Sequence, residues 1–380
     1  MKITCSVKIF NEAISIAERN TSKNQSLPIL QSIFIKADEK ENILSIRATN
    51  LENALEIFIP AKIDQGGSIA VSGKILNSFL SHINDETITL QNKQNNLFIK
   101  TSQIETTLRG YEQEDFPLFP SIESLFSFSI SPNELFTHLR RVLIAMSSSD
   151  IKPELSSISW YIFKNTLKLA STDSFRLCES SLVSKSLNTS SVILFLLPGS
   201  AAREILRLIE HSSHESIISL SGDKEIKIFG NKNQIIFQNK TIRFISRLTE
   251  GIFPEYEQII PKKFVTEVII KQSSLLNQLK LASVFIGRLN EIQLLINPSK
   301  KNITLKAANS DIGEHESSLE ASIQGEQVKA KFNWRYLIDG VQQIDSEYIV
   351  LGMNGEQSPL LIKGKGDTSY FYLAMPMRGI

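Results

Sequence analysis

The residue types that support catalysis or metal binding are few in this chain, and they are not grouped. His211 and His214 lie three residues apart, but no cysteine is near them and no third ligand is within sequence reach. Cys5 and Cys178 lack an activating histidine, so we expect both to be small buried residues. Asp173 has no partner carboxylate, and we expect it to form a turn through its own following backbone. No glycine-rich phosphate loop occurs either. The sequence therefore predicts no catalytic residue, no metal site and no cofactor.

Basic side chains on predicted helices are the second chemically suggestive group. Arg203 and Arg207 are four residues apart, which places them side by side on one helix face. Further basic residues on other predicted helices are Lys74, Arg140, Arg141, Lys280 and Arg335. Such side chains suit a phosphate backbone, although an ordinary solvated helix face gives the same pattern. The chain has 41 basic and 40 acidic residues, so bulk charge does not decide between these alternatives.

These side chains are placed by a pattern of elements that occurs three times. Apolar residues at helical spacing predict amphipathic helices over 6–19, 131–146 and 271–284. A strand pair follows each helix, and its second strand closes at Asn50, Asp173 or Asn309, which lie 123 and 136 residues apart. A second helix is predicted over 72–83, 198–210 and 333–344, with Ser72 and Asn333 as N-caps and Pro198 in a first turn.

Each copy ends in short runs of alternating apolar and polar residues, which predict strands. Three such runs are 86–91, 216–221 and 347–352. Proline-rich stretches at 115–124 and 253–263 mark the boundaries. We therefore predict an α+β fold of three tandem copies, each with two helices and antiparallel sheets, over residues 1–124, 125–253 and 254–380. The recurrence in order favours duplication over three unrelated domains.

Length and composition agree with a globular protein of several domains. The chain has 380 residues, of which 42% are hydrophobic and 21% charged, a balance that does not fit intrinsic disorder. No run of 18 apolar residues predicts a membrane span. The first 20 residues lack the apolar block of a signal peptide, and two cysteines make no disulfide framework. We therefore expect a cytoplasmic protein with no membrane partner.

Short motifs along the whole chain resemble the bacterial replicative sliding clamp, the beta subunit of DNA polymerase III. They are SLPIL at 26–30, TNLE at 49–52, DFP at 115–117, STDSFRL at 171–177, GIFPEY at 251–256 and AMPMR at 374–378. The resemblance implies the DNA-clamp fold and a homodimer that closes head to tail into a six-domain ring. Such a ring encircles double-stranded DNA without reading its sequence and tethers a polymerase, so that synthesis is processive. It is not an enzyme.

The resemblance also implies a pocket for partner peptides between the middle and last copies. Its residues are Leu155, Thr172, Ser174, Phe175, Arg176, Leu177, Pro254, Gln258, Ile259, Ser358, Pro359, Ala374, Met375, Pro376, Met377 and Arg378. The chain departs from the family here, since Ser174-Phe175 replaces a common Gly-His pair and Ala374 a frequent valine. The implied partners are the DNA polymerase III catalytic subunit, the clamp loader, and other polymerases and repair proteins.

The implied DNA-facing and dimer residues complete the set. Family loops that contact DNA match Lys23, Asn24, Lys74, Ser149 and Lys152, and we expect Arg140, Arg141, Arg203, Arg207, Lys280 and Arg335 to face DNA from helices. Asn24 stands where some members have Arg, and Pro153 and Glu154 where some have aromatic residues. Ile104 and Leu108 are expected to meet Val284 and Phe285 of a second copy. Two alternatives remain open: an enzyme of nucleic-acid metabolism with Asp173 in its site, and a tandem-domain scaffold that does not hold DNA.

Overall fold

A computed structural model describes residues 1–24, 27–111, 113–119, 122–210 and 218–377. Within them the six predicted helices are all present. They are α1 (Val7–Arg19), α2 (Gly73–Leu80), α3 (Pro132–Leu143), α4 (Gly199–Glu210), α5 (Gln272–Ala282) and α6 (Trp334–Gln342). The α+β prediction is confirmed, with helices and antiparallel strands following one another in the predicted order.

The strands are short and number 26 in the described residues. In chain order they are β1 (Lys2–Ser6), β2 (Ser32–Asp38), β3 (Ile43–Thr49), β4 (Asn53–Pro60), β5 (Lys62–Gln65), β6 (Gly67–Ser72), β7 (Thr87–Lys93), β8 (Asn96–Lys100), β9 (Glu105–Tyr111), β10 (Phe126–Ile130), β11 (Ser157–Lys164), β12 (Thr166–Thr172), β13 (Arg176–Val183), β14 (Thr189–Pro198), β15 (Ile226–Gly230), β16 (Gln234–Gln238), β17 (Ile242–Arg247), β18 (Thr266–Lys271), β19 (Glu291–Asn297), β20 (Asn302–Asn309), β21 (Gly313–Glu320), β22 (Ser322–Gln324), β23 (Val328–Asn333), β24 (Tyr348–Met353), β25 (Leu360–Gly364) and β26 (Tyr370–Ala374).

One compact unit comprises Met1–Phe136, Lys185–Ser190 and Ser200–Thr249. Its strands form a 13-stranded sheet in the order β10-β15-β16-β17-β4-β3-β2-β6-β9-β8-β7-β1-β5. The first and middle sequence copies meet in this sheet, because β17 runs antiparallel to β4 with Ser246 opposite Asn53. A single ladder of backbone hydrogen bonds therefore continues across the repeat.

A second compact unit comprises Thr137–Ser184, Ser191–Gly199 and Glu250–Ile380. It holds a nine-stranded sheet in the order β14-β11-β12-β13-β26-β25-β24-β18-β22 and a four-stranded sheet in the order β21-β20-β19-β23. Here the middle and last copies meet, because β13 runs antiparallel to β26 with Arg176 opposite Ala374. The same kind of strand pairing thus joins successive copies in both units.

The helices bury one apolar stripe and leave the opposite face to solvent. In α1 the buried side chains include Phe10, Ile14 and Ala17, at the spacing that places them on one face. This face packs on β3 and β4, and α1 also lies against α2, while α5 lies against α6 in the second unit. Burial of these side chains, at about 25 cal/mol per Å² of apolar surface, fixes the helices on the sheets.

The residues that close the second strand of each copy share one structural role. The Oδ1 atom of Asn50 accepts hydrogen bonds from the Glu52 and Asn53 amides, at 3.0 and 2.7 Å. That of Asp173 accepts from the Phe175 and Arg176 amides, both at 2.9 Å. Asn309 Oδ1 accepts from the Asp311 amide at 3.0 Å. The side chain replaces a backbone acceptor in each turn, which confirms the turn expected at Asp173.

Three local predictions were wrong. In the run 216–221, residues 216 and 217 lie outside the described residues, and the remainder is a 3₁₀ turn, Leu220–Gly222, and not a strand. The hydroxyls of Ser219 and Ser221 donate to the Leu208 and Ile209 carbonyls, and these local bonds compete with a strand ladder. The Ser72 side chain makes no cap hydrogen bond, and Pro198 ends β14 instead of starting a helix. The Asn333 cap is confirmed by its bond from the Arg335 amide, at 3.0 Å.

Both cysteines are free and buried, and burial raises the pKa of each thiol to about 12. Because the raised pKa favours the neutral thiol, the thiolate population stays small until the pH approaches 12. We expect the native protein at pH 8 to react with Ellman's reagent about 1000-fold more slowly than an ordinary thiol of pKa about 8.5. The denatured protein should release two equivalents at once, and rapid reaction of the native protein would contradict the buried placement.

Across the described parts of the chain, no helix is both long enough and apolar enough to span a bilayer. Those parts also contain no group of three or more His, Cys, Asp and Glu side chains arranged to hold a metal ion. His211 and His214 lie outside the described residues.

Candidate functional site

The predicted peptide pocket is assembled where β13, β26 and β25 meet in the second unit. Arg176 and Leu360 both pair with Ala374, which brings the start of β13 and the Ser358–Pro359 segment to the end of β26. Beyond the ladder, the Met375 amide donates to the Phe175 carbonyl at 2.8 Å, and the Met377 amide donates to the Lys331 carbonyl at 2.7 Å. Two backbone hydrogen bonds therefore hold residues 375–377, one to the turn at 173–176 and one to Lys331.

The floor of this region is apolar. Leu177, Leu361 and Leu373 form a buried cluster from three adjacent strands. Partly buried side chains packed against the cluster are Tyr256, Ile260, Phe264 and Phe371. Phe175 is 62% exposed and Met375 is 39% exposed, and Ile259 is also exposed. A buried leucine floor with exposed aromatic and thioether side chains beside it suits apolar side chains of a ligand.

Arg176 is held by charged and aromatic neighbours. Its Nη1 donates to Asp339 Oδ2 at 2.6 Å, and its Nε donates to Asp173 Oδ2 at 3.0 Å. The guanidinium lies 4.5 Å from the ring centroid of Tyr336. Burial alone lowers the pKa of Arg176, but neighbouring Tyr372 and hydrogen-bonded Asp339 outweigh it and raise that pKa above its ordinary value. Arg176 thus links the turn at 173–176 to α6, and its charge is already paired with Asp173 and Asp339.

Tyr256 fixes the segment that carries Pro254, Gln258 and Ile259. Its hydroxyl donates to Glu179 Oε2 at 2.6 Å. Burial, and then the bond to Glu179, raise the pKa of Tyr256 above its ordinary value, so the phenol stays protonated and keeps donating. Sequence reasoning missed Asp339, Tyr336, Tyr256 and Glu179, because a hydrogen bond between residues 77 or 163 positions apart leaves no local pattern.

Other predicted pocket residues make local contacts. The Thr172 hydroxyl donates to the Arg176 carbonyl at 2.7 Å, and Pro376 is half-buried. Leu155 is buried, and its carbonyl accepts from the Ser147 amide at 2.9 Å. Arg378 lies outside the described residues. The structure therefore brings most of the predicted set together at one end of three strands.

Ser174 adopts a left-handed backbone with φ of 76°. A residue with a Cβ is strained there, whereas glycine is not. We expect Ser174→Gly to stabilise the second unit by about 1 kcal/mol, which raises its thermal midpoint by about 2–4 °C. Ser174→Ala keeps the strain and serves as the matched control. Equal midpoints for the two variants, measured by differential scanning calorimetry, would remove strain as the explanation.

The predicted DNA-facing residues of the first unit are exposed, with one ion pair among them. Lys23, Asn24, Lys74, Arg203 and Arg207 all reach solvent. Arg207 Nη1 lies 3.3 Å from Glu204 Oε2. The buried Glu204 also accepts from Asn20 Nδ2 at 3.0 Å and lies 3.7 Å from Arg19, so it links α4 to the end of α1. Glu204 thus has a structural role and adds little exposed negative charge.

In the second unit, one predicted DNA-facing residue is placed elsewhere. Arg140, Ser149, Lys152, Lys280 and Arg335 are exposed. Arg141 is buried, and its guanidinium lies 5.4 Å from the ring centroid of Tyr370. The prediction for Arg141 was wrong, because adjacent residues on a helix point about 100° apart, and this rotation turns Arg141 toward Tyr370 while Arg140 stays exposed.

The predicted dimer residues lie on or beside two strand edges. Ile104 precedes β9 and Leu108 lies within it, and residues 105–109 of this strand pair only with β8 among the described strands. Val284 is 62% exposed, and the Phe285 ring stacks on His315 of β21 with centroids 5.5 Å apart. β21 is an edge strand, since among the described strands it pairs only with β20. Open edges of this kind are available to a second chain.

Comparison with known protein families gives three consecutive matches. The model described as the DNA polymerase III beta subunit, N-terminal domain, matches residues 1–120. The central-domain model matches residues 129–255, and the C-terminal-domain model matches residues 257–378. Together the matches extend over nearly the whole chain, in the order in which the sequence copies occur.

Individual relatives agree with these matches. The beta sliding clamp of Synechococcus elongatus is 26% identical over 381 residues, which cover 100% of this chain and 99% of the relative. A crystal structure of the DNA polymerase sliding clamp from Bacillus subtilis is 23% identical with a TM-score of 0.92, and one of the DNA polymerase III subunit beta from Pseudomonas aeruginosa is 21% identical with a TM-score of 0.91. Both alignments cover 100% of each chain. The fold is therefore that of these solved structures.

Proposed function

Because the chain belongs to the DNA polymerase III beta subunit family, we propose that it is a replicative sliding clamp, a processivity factor without catalytic activity. The observation that carries this function is the set of three consecutive family matches over 1–120, 129–255 and 257–378. The clamp is a homodimer that encircles duplex DNA and tethers the replicative polymerase. The proposal includes copy boundaries at 1–124, 125–253 and 254–380.

The hold on DNA is topological in this proposal. DNA carries about one negative charge per 1.7 Å of helix axis, so exposed basic side chains attract it without reading bases. The residues proposed to face it are Lys23, Asn24, Lys74, Arg140, Ser149, Lys152, Arg203, Arg207, Lys280 and Arg335. With a net charge of +1 for the whole chain, the attraction stays weak enough to permit sliding. Retention then depends on closure of the ring and not on contact strength.

The region around Leu177 and residues 375–377 is proposed to bind partner peptides. Its support is the leucine floor, the exposed Phe175 and Met375, and the hydrogen bonds that hold residues 375–377 in place. Partners with such peptides are the polymerase III catalytic subunit, the clamp loader, and other polymerases and repair proteins. Tethering keeps a polymerase at high effective concentration near the primer end, so a modest peptide affinity suffices.

The dimer is proposed to form between β9 of one subunit and β21 of its partner. Two open strand edges can complete each other's ladders, with Ile104, Leu108, Val284 and Phe285 as the apolar part of the interface. Asp311, Glu314 and Glu316 are exposed near the β21 edge, and exposed ion pairs there contribute only about 0–1 kcal/mol each.

An enzyme centred on Asp173 is not favoured. Both carboxylate oxygens of Asp173 are occupied, one by the two amides of its turn and the other by Arg176, so the group has no role left as an acid or base. We also propose a cytoplasmic location, where two free buried cysteines need no oxidising compartment.

A primer-extension assay tests the function. The DNA polymerase III catalytic subunit, with a clamp loader and a trap for free polymerase, is expected to make products at least about tenfold longer per binding event when this protein is present. Product length that does not change on adding the protein and loader would contradict the proposal.

A further inference from the structure

The backbone frame of the proposed peptide pocket occurs a second time, in the first unit. The Thr49 hydroxyl donates to the Asn53 carbonyl at 2.8 Å, as the Thr172 hydroxyl does to the Arg176 carbonyl at 2.7 Å. Both turns have the side-chain acceptor described above at Asn50 and Asp173. The end of the neighbouring strand is held in the same way in both places. The Arg247 amide donates to the Glu52 carbonyl at 2.9 Å, as the Met375 amide donates to the Phe175 carbonyl at 2.8 Å.

A cleft lies beside this second turn, and we call it the first-copy cleft. It has a volume of about 200 Å³ and is lined by Leu51, Ala54, Pro117, Phe119, Ile245 and Arg247 among others. Ala54 and Ile245 are buried at its floor, and Leu51, 46% exposed, stands at its rim. The volume is below that of pockets that enclose drug-sized ligands, so the cleft suits one large apolar side chain of a longer ligand.

The rim of the first-copy cleft differs in charge from the rim of the peptide pocket around Leu177. Ser246 pairs with Asn53 as Ala374 pairs with Arg176. The next residue along the chain is therefore Arg247 in the first-copy cleft and Met375 in the peptide pocket, and Glu52 likewise corresponds to Phe175. Arg247 is exposed, and no ion pair of its guanidinium occurs among the residues that the structure describes. An exposed guanidinium beside an apolar cleft recognises a carboxylate through charge-assisted hydrogen bonds. Glu52 disfavours a second carboxylate on the ligand.

We propose that the first-copy cleft is a second docking site, for an extended peptide of a partner protein with one acidic residue next to a large apolar side chain. This inference rests on the proposed function, because it treats the cleft as a repeat of the peptide pocket. The two sites differ in preference: the exposed Phe175 and Met375 of the peptide pocket around Leu177 are uncharged, whereas the first-copy cleft selects for one negative charge. A clamp with both sites holds two different partners on one subunit.

The test uses the full-length dimer with methyl-labelled Leu and Ile, and the probe is the peptide acetyl-Gly-Asp-Leu-Phe-Gly-amide. Methyl signals of Leu51 and Ile245 report on the first-copy cleft, and those of Leu177 and Leu361 report on the peptide pocket of the second unit. We expect saturable shifts of Leu51 and Ile245. An Asn-for-Asp peptide should bind there about tenfold more weakly, because it loses the charged bond to Arg247.

Two variants separate the site from the fold. Leu51→Gly removes the rim side chain at a φ of 75°, where glycine is unstrained, and Arg247→Glu reverses an exposed charge. Each should weaken binding seen at Ile245 by about tenfold or more, whereas Lys62→Glu, an exposed charge reversal on β5, should not. Shifts at Leu177 and Leu361 without shifts at Leu51 and Ile245 would overturn the second site alone. Absence of shifts at both sets would also overturn the second site and would leave the peptide pocket around Leu177 to its own test with a Gln-containing peptide. Shifts at Ile245 that neither variant changes would overturn the first-copy cleft.

Discussion

Replacing Val284 and Phe285 together by aspartate is expected to convert the protein from a dimer into a monomer at micromolar concentration. Val284 is largely exposed in the single chain, and Phe285 lies against the open edge strand β21. A carboxylate placed in an apolar interface loses its hydration without gaining a partner. The substitution occurs at both interfaces of a closed ring, so each is weakened.

The expected loss is at least about 4 kcal/mol per interface, and each of the two interfaces therefore contributes a factor of about 1000 to the rise in the dissociation constant. Analytical ultracentrifugation measures it directly. Val183→Asp is the matched control, because Val183 is 76% exposed but lies on β13, away from the proposed interface. The single variant Val284→Asp guards against misfolding caused by loss of the Phe285–His315 stack. A double variant that sediments as a dimer would place the interface elsewhere.

Deleting residues 375–380 is expected to reduce the affinity for partner peptides by about 100-fold or more, equivalent to about 2.7 kcal/mol. The deletion removes the Met375 and Met377 side chains and the two backbone bonds that hold the chain end to Phe175 and Lys331. β26 ends at Ala374 and keeps its pairing with β13 and β25. The fold and the dimer should therefore be unchanged.

Fluorescence polarisation with a labelled peptide that contains Gln followed by apolar residues provides the measurement. The matched control deletes only Gly379 and Ile380, which leaves both held methionines in place. Unchanged affinity after the larger deletion would show that the peptide binds elsewhere on the chain. A loss of affinity with the smaller deletion would assign the effect to the last residues and not to the methionines.

The sequence predicts most of the architecture because the local signals agree with each other. The helix that begins after Ser6 has apolar residues at helical spacing, and the structure places Phe10, Ile14 and Ala17 in the core. Asn50, Asp173 and Asn309 recur because each copy needs a side-chain acceptor in the same turn. Repetition of the same elements in the same order therefore predicts both the copies and the way in which their turns form.

The parts that sequence reasoning missed depend on long-range contacts. Arg141 has the same local context as Arg140, and only its position over Tyr370, 229 residues away, shows that it is buried. Tyr256 and Glu179 meet through a strand order that local periodicity does not specify. In 218–221 the alternation predicts a strand, but serine hydroxyls bond to the end of α4. Side-chain hydrogen bonds compete with the ladder and have no period.

Retention on closed and open DNA tests the central claim most directly. The protein, loaded by a clamp loader onto nicked circular DNA, is expected to remain bound through gel filtration in high salt, because ring closure holds it. Cutting the circle once should release it by sliding over the ends. Equal retention on the circle and the linear product, or loss from both as salt rises, would show binding by contact alone and would contradict a ring around DNA.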